Sequence, residues 1–176
     1  MIQTIKTPRF LVLSLLIVVA AATRALPLLV PHVWNFTAVG ALAIFAGAQF
    51  NDKRLAFVMP LAAMAISDVF IGNGFSAVVY AGFVAMVACG LLINKRQSVG
   101  SIFAGSVLGA VVFFLLTNFA FFYPSTLYPH NAAGILASYA AGLPFFNNML
   151  AGNLIYGAIL FGSFSVLSKK YPVLAK

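Results

Sequence analysis

Apolar residues run along this chain in six long stretches separated by short polar breaks, at about 10–29, 36–50, 55–71, 75–93, 99–123 and 145–167. None alternates as a strand would, and each is apolar on every face of a helix, the pattern of a segment solvated by lipid rather than water. At about 1.5 Å rise per residue, the second and third stretches are short for a hydrocarbon core about 30 Å thick. They predict little tilt, or a locally thinned bilayer. Before the sixth stretch lies the run YPSTLYPHNAAGILASYAAG, too long for a turn. Its last part, about 132–142, predicts a short interfacial or re-entrant helix ending at Gly142-Leu143-Pro144, where the proline resets the chain into the sixth span. No second domain, low-complexity linker or internal repeat interrupts the pattern, so 1–176 reads as one all-α transmembrane domain, a six-helix bundle.

Composition agrees: 63% of residues are hydrophobic, 7% are charged and the mean hydropathy is +1.07. Such a chain belongs in a lipid bilayer as a multi-pass protein. The formal charge of +8 does not describe a nucleic-acid-binding face, because the basic residues sit in small clusters between spans. Lys6 and Arg9, Lys53 and Arg54, Lys95 and Arg96, and Lys169, Lys170 and Lys176 all fall on one side of six crossings, and Arg24 alone lies toward the other. The positive-inside rule then puts both termini in the cytoplasm. Lys6 and Arg9 followed by FLVLSLLIVVAAA also resemble a signal peptide, but the apolar run continues past Arg24, which predicts a retained helix.

Against that background the polar residues stand out. Asp52 and Asp68 are the only acidic side chains. Asp52, in NDKR, reads as a solvated loop charge. Asp68 lies near the outer end of the third span, where an unpaired carboxylate costs several kcal/mol, roughly, and Arg24 is the only opposite charge on that side. A structural Arg24–Asp68 ion pair is expected. The first outer loop carries His32, read as solvated, Trp34, read as an interfacial anchor or a ligand contact, and Asn35. The outer end of the fifth span and the loop after it supply Thr117, Asn118, Tyr123, Tyr128, His130, Asn131 and Tyr139. The sixth span adds Asn147, Asn148, Asn153 and Tyr156, with Asn148, Gly152 and Tyr156 at i, i+4, i+8 on one helical face.

These groups admit two readings: hydrogen bonds that tie helices together, or a pocket for a neutral or zwitterionic ring-bearing solute. The asymmetry favours a pocket, since the cytoplasmic halves of the spans are almost purely aliphatic and aromatic. The candidate solute-binding residues are Trp34, Asn35, Asp68, Asn118, Tyr128, His130, Tyr139, Asn147, Asn148, Asn153 and Tyr156. No GxSxG, GK[ST] loop, paired-carboxylate site or metal-ligand cluster is present, so neither an enzyme nor a cofactor is expected. The single cysteine, Cys89, excludes an internal disulfide and reads as a small buried hydrophobe.

The runs NFTAVGALAIFAGAQF, PLAAMAISDVFIGNG and LLTNFAFFYPSTLYPHNAAGILASYAAGLPFFNNMLAGNLIYGAILFG resemble a family of small bacterial six-helix membrane proteins of uncharacterised function, from Asn35 to Gly162. That family is in turn similar to the S components of energy-coupling factor (ECF) vitamin transporters, BtuM-type proteins among them. The resemblance implies an ECF S-component-like bundle in the bacterial cytoplasmic (inner) membrane, with a ligand site at the outer ends of helices four to six. It implies uptake of a small vitamin-like solute captured from the extracytoplasmic side, and an energising module or other membrane subunits as partners. The small-residue spacing used for docking such a module occurs at Ala21 and Ala25, toward the outer end, which points to a solitary protein or another assembly. The cobalt-ligating cysteine of BtuM-type chemistry has no counterpart at the outer end. The alternative is a structural or accessory subunit of a larger membrane complex.

Overall fold

A computed structural model describes residues 7–25 and 35–175, and the described residues are helical throughout, with no strand. Six α-helices follow in order: α1 Pro8–Ala22, α2 Val39–Gln49, α3 Lys53–Ile71, α4 Ala77–Leu92, α5 Val99–Thr117 and α6 Ala132–Lys170, with short 3-10 turns at Thr23–Ala25, Ala120–Phe122 and Pro172–Leu174. Four of these segments, Pro8–Ala25, α3, α5 and α6, are long and apolar enough to cross a membrane. Their outward faces carry large exposed hydrophobics, among them Val69 at 81% and Phe70 at 85% exposure, a surface that acyl chains solvate and water does not. This is a membrane protein.

Helix starts follow from local side-chain chemistry. The N–H groups of a first turn have no helical partner, and Thr7, Asp52, Ser76, Ser98 and Asn131 each accept one of them at the head of α1, α3, α4, α5 and α6. Asp52, expected as a loop charge, is thus a cap. It lets α3 begin at Lys53 and reach nineteen residues, about 28 Å, so this span is not short. The second span is: α2 has eleven residues, about 16 Å.

Two further boundaries depart from the sequence pattern. α5 stops at Thr117, not near Tyr123, because the Asn118 amide turns back to the Phe114 carbonyl at 3.0 Å and competes with the helix. The separate re-entrant helix at 132–142 and the break at Pro144 do not occur. Instead α6 runs unbroken for 39 residues with Pro144 inside it. A proline removes one backbone donor, and a membrane helix packed among others tolerates that loss. The end of the first stretch, beyond Ala25, lies outside the described residues.

α2 forms the axis of the bundle. All eleven of its residues are buried, and it packs on each of the other five helices. Its backbone crosses α4 with nothing but hydrogen between them: a Cβ at Gly90 would collide with the Ile44 carbonyl and come within 3.0 Å of Gly47 Cα. The C-terminal end of α2 has its carbonyls capped by side chains. Asn94 donates to Ala48 O at 2.8 Å, Gln97 to Ala48 O at 2.9 Å, and Arg9 to Gln49 O at 2.8 Å. Arg9 also donates to the carbonyl of Leu174, which anchors the C-terminal turn. A cation at this terminus suits the negative pole of the helix.

The ends of the bundle are hereafter the basic end, where Arg9, Lys95 and Lys169 lie, and the loop end, where α3 turns into α4 through Gly72–Gly74 and α5 connects to α6. Gly72 takes the left-handed conformation that closes α3, φ 73°, and receives no penalty for it.

Candidate functional site

The loop end holds a recess of about 550 Å³ because α2 stops short of it. Gly40 of α2 sits level with Asn153, more than half-way along α6 from its start, so among the described residues the space beyond Val39 is walled by the longer helices and the connecting loops. The walls are aromatic: Phe83 of α4, Phe113 and Phe114 of α5, and Phe145 and Phe146 of α6, with Met149. Among them stand Asn35, Thr37, Asn73, Thr117, Asn118, Tyr123, Tyr128 and Ser138, and one charged group, Arg24. Among the described residues the lining includes no carboxylate, histidine or cysteine. It offers ring faces for stacking and amides and hydroxyls for orientation, the composition of a site for a small, partly polar organic solute.

Arg24 is held in place by a clamp behind this wall. Its Nη2 lies 2.5 Å from Asp68 Oδ1, and its Nη1 donates to Met64 O at 2.9 Å and Ser67 Oγ at 2.6 Å. The Tyr80 hydroxyl donates to the second carboxylate oxygen, Oδ2, at 2.8 Å. The expected pair is therefore present and ties α1, α3 and α4 together. Asp68 is 7% exposed and belongs to the clamp, not to the cavity lining.

Of the residues singled out in the sequence, Asn35, Thr117, Asn118, Tyr123 and Tyr128 line the recess together with Arg24. Asn35 does so with φ 65°, in the left-handed region where asparagine is among the few tolerated side chains. The Asn118 side chain also packs tightly on α6, since a Cβ on Gly142 would stand 2.6 Å from its Cγ.

The others lie elsewhere. His130 stacks on Phe121, centroids 4.6 Å apart, and its Nε2 is 3.0 Å from the Tyr123 carbonyl, which fastens the connecting loop. The Tyr139 hydroxyl donates to Leu115 O at 2.9 Å. Asn147 is exposed on the outside of α6, Asn148 is partly buried away from the lining, and Tyr156 packs against Phe36 at 5.6 Å. Asn153 is fully buried between α2 and α5. Its Nδ2 makes a long 3.4 Å contact to Ser106 O, and its Oδ1 is without a hydrogen-bond partner. Trp34 and His32 lie outside the described residues.

The cavity face of α6 is in fact Ser138, Gly142, Phe145, Met149, a stripe at i, i+4, i+7, i+11. Only one of these is polar, so a search for amides selects the wrong positions. Asn73 and Ser138 were missed, although the GNG turn placed the first at this end of the bundle. Around the Tyr123 phenol, burial first and the nearby Tyr128 second push the pKa above the ordinary tyrosine range, keeping it a neutral donor, here to Thr117 O at 2.8 Å.

A family profile described as "Family of unknown function (DUF6580)" matches residues 4–174. No curated protein and no solved structure matches the chain significantly.

Proposed function

We propose that this chain, which belongs to the DUF6580 family of unknown function, binds a small ring-bearing solute in the loop-end recess and carries it across the membrane as an uptake protein. The observation that carries the reading is the recess itself: about 550 Å³, aromatic-walled and furnished with amides, within the 300–1,000 Å³ or so usual for small-molecule sites. Its one cation already has a carboxylate partner, which favours a neutral or zwitterionic solute over an anion. Basic residues gathered at the opposite end support a topology with both termini in the cytoplasm of a bacterial cell and the recess facing outward. The similarity to ECF S components adds a vitamin-like compound as the solute class, and an ECF-like bundle as the architecture. No reaction is catalysed in this reading, and uptake follows by reorientation of the bundle, alone or with a partner subunit.

Native mass spectrometry of the full chain purified in mild detergent tests it. The expected result is one small-molecule adduct per protein, lost in Ala141→Phe, whose ring would occupy the recess from an exposed lining position. Recovery of a stoichiometric protein partner and no small molecule would instead establish an accessory subunit.

A further inference from the structure

A second recess, of about 960 Å³, opens at the basic end between α5 and α6. Between the two helices its walls are mostly apolar, with Ile102 and Phe103 on α5 and Leu154, Ala158 and Phe161 on α6, while Arg9 and Gln49 are also on the lining. Its mouth carries Lys95 and Lys169, both exposed and without an ion-pair or hydrogen-bond partner among the described residues. Neither has an Asp or Glu partner among the described residues: of the two acidic side chains, Asp52 caps α3 and Asp68 holds Arg24. Also on the lining is Ser168, whose buried Oγ lacks a hydrogen-bond partner.

We propose that this slot is a binding site for one anionic phospholipid, its phosphate at Lys95 and Lys169 and an acyl chain laid between α5 and α6. Three features select that occupant. The unpaired ammonium groups call for an anion, and each basic side chain near a bilayer surface strengthens attraction to anionic headgroups. The slot runs along α6 from Lys169 back to Leu154, fifteen residues or about 22 Å, enough for the roughly 15 Å depth of one leaflet. A free phosphate would use only the mouth. The slot also closes at mid-bundle, where Asn153 meets Ser106, so it accommodates a chain from one leaflet and not a helix crossing both. This inference does not depend on the solute reading.

The test is native mass spectrometry of the full chain in detergent with phosphatidylglycerol or phosphatidylcholine of matched acyl chains. One phosphatidylglycerol per protein should survive at collision energies that strip phosphatidylcholine. Lys95→Gln and Lys169→Gln should each lower the preference about fivefold, and the double variant should bring the two lipids near parity. Ala158→Trp, which fills the slot from an exposed position, should abolish retention of either lipid with both lysines intact. Unchanged thermal unfolding of the variants shows that the fold is kept. Equal retention of the two lipids by the natural sequence, or persistence of the preference in the double lysine variant, overturns the proposal. So does loss of phosphatidylglycerol to millimolar inorganic phosphate, which would indicate a free-anion site, or a protein chain found in place of lipid.

Discussion

At the basic end, α2 fills the centre of the bundle as far as Gln49 and its last carbonyls are capped by Arg9, Asn94 and Gln97; at the loop end the same helix is missing and an aromatic-walled recess takes its place. One short helix therefore sets the character of both halves. Where it crosses α4, backbone lies against backbone, as at Gly47 and Gly90, and no volume is spare between those two helices. Where it is absent, the surrounding helices are kept apart and need a separate tie, which the Arg24–Asp68–Tyr80 clamp supplies. Polar groups in a membrane protein need not share a purpose because they share an end of the molecule. Here one set lines a cavity and another holds its walls.

That contrast can be broken most severely at the clamp. Asp68→Leu leaves the Arg24 guanidinium buried without its counter-charge and should cost about 3–5 kcal/mol, read as a large drop in the thermal unfolding midpoint in detergent. Next comes bulk at the α2–α4 crossing against bulk at the loop-end recess. Gly90→Val forces α2 and α4 apart and should cost about 3 kcal/mol, whereas Ala141→Phe at the recess should change stability by less than about 0.5 kcal/mol in the same assay. Equal losses from the two would show that the recess is not open space. A small effect is also expected at Asn153. Its amide is poorly satisfied, so Asn153→Leu should stay within about 1 kcal/mol of the natural protein, since replacing an underused polar group by an apolar one of similar shape is near neutral. A loss well beyond that would show that the amide contributes a bond not evident from its contacts.

The apolar stretches were legible as helices because nothing but lipid explains them, and the Arg24–Asp68 pair because the chain offers so few charges. What was not legible followed from context. Pro144 reads as a break only where water competes for the freed carbonyl, and within a bundle the helix continues. Asn148, Gly152 and Tyr156 do share a face, but sharing a face does not fix depth. Gly152 packs on the Thr37 backbone and Tyr156 on Phe36, and neither lines the recess. The cavity face of α6 is mostly phenylalanine, methionine and glycine, residue types that every span of this chain contains, so it carried no signal of its own.

The length of α6 has a mechanical side. At about 58 Å it exceeds the roughly 40–45 Å of a whole bilayer with its headgroups, and it contributes a wall to each recess without interruption. Because one uninterrupted helix walls both openings, any displacement of α6 as a rigid body is felt at each of them.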